Sequence, residues 1–359
     1  MLYVNYLLCS TSVYRVVQWA TGNIGTRSLR AVIEHPDMEL VGLYVYSPAK
    51  EGKDAGDLCG VAPVGVPATR DLEQIIGLGA DCCLYMGDRP DFEATARLLE
   101  SGCNVVTTRS EFARPADMGA EVRARIDAAC TAGRSSVHST GSSPGFITEA
   151  LPFALVSLER RLDSLTIDEF ADMSSRNSPE LMFGLMGFGR SPSSFSPDAM
   201  AHHGRVAFGP SMSMVAEALG LPFDDMAASG EVAVARTDLD IAAGHVDAGT
   251  IAAQRMIIEG LRGGRPVMRF RSNWYLSPDV EPGWDLRETG WRVQVEGDLP
   301  LDVSIRFPVT PEDWAATSPA VTANRPVNAV PYVCAAAPGI VTTAQLPQLI
   351  PALGSRSVL

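Results

Sequence analysis

The chain has 359 residues, enough for two domains at roughly 100–200 residues each. Hydrophobic residues make up 46% and charged residues 20%, the usage of a folded globular protein, which excludes wholesale disorder. With 29 basic and 42 acidic side chains the formal net charge is −13, which argues against nucleic acid or an anionic membrane as partner, and no apolar run reaches the about 18 residues of a transmembrane helix.

Residues 1–13 are mildly apolar but lack a basic region and a cleavage site, so they read as a short N-terminal extension rather than a signal peptide. From Tyr14 the chain alternates strands and helices. YRVVQWA is a strand, and TGNIGTRSLRAVIEHP a turn and a helix that stops at Pro36. MELVGLYVYS is a strand, DLEQIIGLG a helix, and ADCCLYMG a strand. DFEATARLLESG is a helix closed by Gly102, NVVTT a strand, ADMGAEVRARIDAACTAG a helix, and SSVHST a last strand. Such alternation implies βαβ units and a parallel sheet covered on both faces. A dinucleotide-binding domain over 14–145 is expected.

PGFITEALPFALVSLERR then reads as a long helix and LDSLTIDEFADMS as a strand, followed by a Ser/Pro/Met/Gly-rich stretch from Met173 to about Pro210. Gly263-Gly264 before RPVMRFRSNWYL, and Gly297-Asp298 between WRVQVE and LPLDVSIRFP, favour antiparallel hairpins. GTIAAQRMIIEGL is ambiguous between helix and strand; the hairpin needs a strand. Residues 146–317 are thus expected to form an α+β domain on a mostly antiparallel sheet. From Ser318 to Gly339, Pro326 and Pro331 interrupt a helical pattern, which predicts a kinked helix within a 318–359 tail that returns to the first domain.

The seven cysteines, Cys9, Cys59, Cys82, Cys83, Cys103, Cys130 and Cys334, are odd in number, scattered and without CxxC, and read as buried hydrophobes of a reducing cytoplasm. On a strand Cys82 and Cys83 would face opposite sides. The five histidines show neither HExxH nor a Cys/His ligand spacing, so no metal is expected.

The turn after the first strand carries Ala20, Thr21, Gly22, Asn23, Ile24 and Gly25, a dinucleotide fingerprint with alanine at its first glycine position. Gly22 lets the backbone approach a pyrophosphate seated on the helix N-terminus, and Gly25 lets helix and strand pack closely. The second strand ends at Ser47, Pro48 and Lys50, with no acid before Glu51. A hydroxyl and an ammonium suit a 2′-phosphate better than a bare ribose, so NADP is preferred, with NAD open and Lys50 as a solvated loop residue the plain alternative.

The fingerprint, the strand ending LYMG, the loop NVVTTRSEF, the turn STGSSPGF and the segment ANRPVNAVP together resemble the 2,4-diaminopentanoate dehydrogenase and amine dehydrogenase family, related to dihydrodipicolinate reductase. The resemblance spans about residues 15–340. It implies a Rossmann domain with a discontinuous partner domain, NAD(P) as hydride carrier, and a homodimer. It also places the family's acidic residue at Glu111, after the NVVTT strand. A carboxylate there suits reductive amination, because it can move protons and stabilise an iminium cation before hydride arrives. The plain alternative is a surface glutamate balanced by Arg109 or Arg114.

Other candidates are Met86 and Gly87 beside the nicotinamide ribose, and Thr107 and Thr108 at the nicotinamide end. Ser143, Pro144 and Phe146 are expected at the junction between domains, and Met173, with Phe183 and Met186, as an apolar wall or plain core. AHHGRVAFGPSMSM matches the reductase motif at His202, His203, Pro210 and Ser211, but Val206 stands for its lysine and Met212 for a glycine. That loss predicts a neutral ketone or aldehyde without an α-carboxylate. The leading reading is an enzyme that interconverts a small ketone plus ammonia with a primary amine. An NADPH reductase of a cyclic imine or unsaturated carbonyl, and a nucleotide-sensing module without turnover, stay open.

Overall fold

Tyr14–Trp19 forms strand β1, whose Val16, Val17, Gln18 and Trp19 are all buried, as the central strand of a doubly covered parallel sheet requires. The computed structural model describes residues 13–353; the rest of the expected N-terminal extension and Cys9 lie outside them. The chain divides into two compact units, one of residues 1–139, 322–341 and 345–359, the other of residues 140–321 and 342–344.

In the first unit β1 is followed by α1 (Asn23–Glu34), β2 (Met38–Tyr44), α2 (Ala55–Cys59), β3 (Ala68–Thr69), α3 (Leu72–Gly77), β4 (Cys82–Tyr85), α4 (Phe92–Glu100), β5 (Asn104–Thr107), α5 (Ala120–Gly133) and β6 (Ser136–Ser139). Asp71 and Asp91 cap α3 and α4 by accepting backbone N–H bonds from Glu73 and Ala94. Composition did not single out α2 or the two-residue β3. As expected of neighbours on a strand, Cys82 and Cys83 enter different cores on the two faces of the sheet.

The second unit opens with wide helical turns over Ser142–Ala150, leading into α6 (Leu151–Val156). The expected long helix is shorter at both ends. Ser143 and Pro144 are extended and Gly145 sits at φ 125, so regular turns begin only at Phe146, and they stop at Ser157. Strand β7 (Leu162–Asp172) follows. Within the Ser/Pro/Met/Gly-rich stretch, residues Pro197–Ala218 form the 22-residue helix α7. Its glycines are there for packing. A Cβ on Gly204 would meet the Met256 sulfur at 2.7 Å, so glycine lets the helix lie close to the sheet.

The remaining strands are β8 (Asp225–Ala235), β9 (Leu239–Ile241), β10 (Gly244–Val246), β11 (Ile251–Arg262), β12 (Arg265–Tyr275), β13 (Val280–Glu281), β14 (Gly290–Gly297) and β15 (Leu301–Arg306). The main sheet has order β13-β8-β11-β12-β7-β14-β15, antiparallel except where β12 meets β7. Both glycine turns make the expected hairpins, and Gly263 and Gly264 hold the positive φ values (57° and 72°) of such a two-residue turn. The ambiguous segment is strand β11.

Helix α8 (Pro311–Cys334) begins earlier than the expected Ser318. From Thr322 onward its residues belong to the first unit, where Val327, Ala329, Val330 and Val333 join the core around Val16, Leu29 and Leu84. Strand β16 (Gly339–Val341) then pairs in parallel with β6. The first sheet has order β16-β6-β5-β4-β1-β2-β3, all parallel. The order reverses between β1 and β4, so the loops after these strands flank the crevice where open sheets of this kind take ligands.

Candidate active site

The fingerprint turn rests on a buried glutamine. Ala20 holds φ 71, a left-handed conformation that glycine adopts freely and alanine does not. The Gln18 amide donates to the carbonyl oxygens of Trp19 (3.1 Å) and Ala20 (3.0 Å), and its own oxygen accepts from the Ser28 hydroxyl at 2.6 Å. Gly22 occupies the N-cap of α1 with no side-chain cap, and the first turn carries no acid. The opening N–H groups of α1 are therefore left without a side-chain partner. A Cβ on Gly22 would meet nothing within 4 Å, whereas one on Gly25 would lie 2.3 Å from the Ala20 oxygen. An open approach, an uncapped helix start and no nearby acid fit the pyrophosphate of a dinucleotide.

Beyond β2, Ser47–Lys50 makes a tight turn, and the Lys50 ammonium reaches back to the Thr21 carbonyl and hydroxyl, both at 2.9 Å. Lys50 thus sits on the fingerprint turn itself. Arg70, which the sequence reading passed over, follows β3 and donates from Nε to the Tyr46 carbonyl at 3.2 Å.

At the ends of β4 and β5, the Met86 N–H donates to the Trp19 carbonyl at 3.0 Å. Gly87 leaves no room for a side chain, since a Cβ would stand 2.9 Å from the Tyr46 hydroxyl. Trp19 stacks between Tyr44 and Tyr85, with its Nε1 donating to Tyr46. Thr107 is fully buried, and its hydroxyl is engaged by the Tyr85 carbonyl and the Arg109 N–H; Thr108 is half-buried. Glu111 lies in the short turn Ser110–Phe112, anchored by the buried Phe112 ring. Its carboxylate takes two bonds from Arg109, at 2.6 and 3.2 Å, and both side chains are a little over a quarter exposed. Arg109 also donates to the Asp88 carbonyl at 2.8 Å. Glu111 is therefore a held group at the carboxyl edge of the sheet, paired with the first of the two expected arginines.

In the second unit, the Ser143 hydroxyl is buried with no partner among the described residues, beside the cis Ser143–Pro144 bond. Phe146 packs near Trp291. Met173 matches the plain-core alternative: with Phe183 and Met186 it packs around Met182, Phe188, Val246, Ile251 and Leu276 as a small core. The echo of the reductase motif is also undone. His202, His203 and Val206 are exposed on α7, whereas Met212 is in the core and the Ser211 hydroxyl is paired with Thr148 at 2.8 Å. No carboxylate cradle forms from one helix whose members face opposite ways. Arg176 is a partly buried cation of this unit. Its Nη2 donates to Ser318 at 3.0 Å, its Nε is buried without a partner, and among the described residues no carboxylate lies within ion-pair distance. Burial alone pulls its pKa down. The exposed Asp238, His245 and Asp247 approach one another closely enough to hold a cation, but all three are solvated and the His245 ring is already paired with Asp240 and Asp247.

Comparison with known proteins adds independent findings. Residues 146–357 match the 2,4-diaminopentanoate dehydrogenase C-terminal domain family, and residues 16–108 match dihydrodipicolinate reductase, N-terminus. An amine dehydrogenase of Streptomyces virginiae is 31% identical over 352 residues, spanning 94% of this chain and 97% of its own length. This chain belongs to the amine dehydrogenase family. The resemblance read from its motifs holds over nearly the whole length, and this family member is an oxidoreductase. A 4-hydroxy-tetrahydrodipicolinate reductase of Synechocystis sp. is 38% identical over only 63 residues, 18% of this chain and 23% of the reductase. The solved amine dehydrogenase from Mycobacterium smegmatis shares the fold, with a TM-score of 0.73 over 95% of this chain and 98% of that one at 21% identity.

Proposed function

We propose that this amine dehydrogenase family member interconverts a small ketone or aldehyde plus ammonia with a primary amine. The observation that carries the reading is the pair of features at the carboxyl edge of the first sheet: an uncapped, acid-free start of α1 and a carboxylate, Glu111, oriented by Arg109. A nicotinamide dinucleotide would be held by Ala20, Thr21, Gly22, Asn23, Ile24 and Gly25, and supplies or accepts the hydride. Ammonia adds to the carbonyl to give a carbinolamine, which loses water to become an iminium cation. Glu111 serves both steps, moving the proton that leaves with water and facing the cation that results. Arg109 fixes the carboxylate direction. The lack of an acid before Glu51 supports NADP as the preferred carrier, with NAD also taken.

Oxidation of NADPH that requires both a ketone and ammonium ion tests the reading. An ammonium-independent rate would select an imine or enone reductase instead, and binding without turnover across a broad panel a sensor.

A further inference from the structure

We propose that Arg70, and not Lys50, is the residue that tells NADPH from NADH. The inference rests on the dinucleotide reading above and assigns its 2′-phosphate contact. In this fold the adenosine ribose lies over the end of the second strand, so the discriminating charge must stand there. Strand β3 pairs in parallel with β2, Leu43 against Ala68 and Tyr44 against Thr69, which brings the next residue, Arg70, alongside Val45 and Tyr46. The Val45 N–H donating to the Thr69 carbonyl at 2.9 Å locks that alignment. Arg70 then spends only its Nε, on the Tyr46 carbonyl. Its two terminal nitrogens make no hydrogen bond among the described residues. The nearest acid, Glu51, stands 3.8 Å from Nη1, beyond hydrogen-bond length, and both side chains are about half exposed. An anchored guanidinium with its outer edge open is the geometry that takes a phosphate through two parallel N–H bonds.

Lys50 is placed for other work. Two of its three donors are on Thr21, so its charge stands at the fingerprint turn, where both cofactors carry the same pyrophosphate. Lys50 therefore braces the turn and favours the two nucleotides alike. Glu51, opposite Arg70, works against a 2′-phosphate by repulsion and sets a limit on the preference.

The test is fluorescence titration of NADPH and NADH into the full chain and into Arg70→Ala, Arg70→Lys, Lys50→Ala and Glu51→Gln, each checked for an unchanged melting temperature. Arg70→Ala should weaken NADPH on the order of tenfold to a hundredfold while NADH changes by less than about twofold. Arg70→Lys should recover only part of the loss, because an ammonium cannot make the paired contact. Lys50→Ala should weaken both nucleotides in equal proportion, and Glu51→Gln should tighten NADPH alone. A wild type that binds neither nucleotide overturns the dinucleotide reading and this assignment with it. A wild type that binds both alike, an Arg70→Ala variant that loses both or neither, or selectivity lost in Lys50→Ala instead, overturns the assignment of Arg70 while leaving the dinucleotide site in place.

Discussion

The carboxamide of Gln18 holds the carbonyl of Ala20 at 3.0 Å, and this bond keeps Ala20 in a left-handed conformation at the mouth of the dinucleotide turn. Gln18 is fully buried, so the bond forms out of competition with water. Replacing Gln18 with leucine keeps most of the volume but strands the Ala20 carbonyl, while the Trp19 carbonyl keeps the Met86 N–H and the Ser28 hydroxyl keeps the Gly25 carbonyl. The loss should be about 1–3 kcal/mol in urea unfolding. Ala20→Gly in the same assay should be neutral or stabilising by up to about 1 kcal/mol, although Ala-to-Gly changes are usually harmful. A destabilised glycine variant would mean that the left-handed turn carries no strain.

Gly25 has no such latitude. A methyl group there would stand 2.3 Å from the Ala20 oxygen and 2.9 Å from its carbonyl carbon, both backbone atoms. Gly25→Ala should therefore push α1 away from β1, at a cost of about 1–3 kcal/mol. Nucleotide affinity should drop at least about tenfold, the equivalent of 1.4 kcal/mol. Unchanged affinity for both cofactors would remove the fingerprint turn from the binding site.

Glu111→Gln should preserve shape and cofactor affinity and lower kcat for amine oxidation by roughly 10²–10⁴-fold, the usual cost of a lost proton-transfer group. If the carboxylate serves only as the partner of Arg109, the rate should stay near wild type. Stability should then change by no more than about 1 kcal/mol, since both partners touch solvent. Measuring kcat together with the cofactor Kd separates the outcomes.

Acid should weaken the first unit through His138. This side chain is buried, with Nδ1 2.8 Å from the Val341 carbonyl, and burial lowers its pKa to about 4, outweighing that hydrogen bond, with Arg325 adding a smaller push in the same direction. The folded protein thus holds the neutral ring while the unfolded chain takes up a proton near pH 6.5. Stability from this group is complete above about pH 6.5 and is lost as the pH falls toward 4, by up to roughly 3 kcal/mol. Urea unfolding at pH 7, 5.5 and 4.5 should show a shallower decline in His138→Gln than in wild type. Parallel declines would mean that another group titrates.

Much of this was readable before any coordinates, for identifiable reasons. The parallel sheet announced itself because its strands are short, β-branched and separated by periodic helices. The hairpins did so because glycine marks both turns, and the Gly263-Gly264 pair takes backbone angles that other residues avoid. What escaped was non-local. Helix α7 hid because Gly204 and Pro210 look like loop residues, while the reason for Gly204, the sulfur of Met256, lies 52 positions away. Gln18 looked like one more strand residue until its three bonds to the turn and to Ser28 were visible. Arg70 could not be placed because β3 has two residues and no hydrophobic period to detect. The burial of Arg176 is likewise non-local, since its partner Ser318 lies 142 positions away.

The last strand of the first sheet comes late. His138 on β6 and Val341 on β16 touch although 203 positions separate them in the chain. On a ribosome, β1 to β6 emerge first, and the second unit must be made before Val327, Val330 and Val333 arrive to cover the core they share with Val16 and Leu29. At about 5–20 residues per second that interval is roughly ten to forty seconds. For that time six of the seven strands stand with β6 as an open edge, and the face that α1 and α2 already share lacks the part that Val327, Val330 and Val333 will cover.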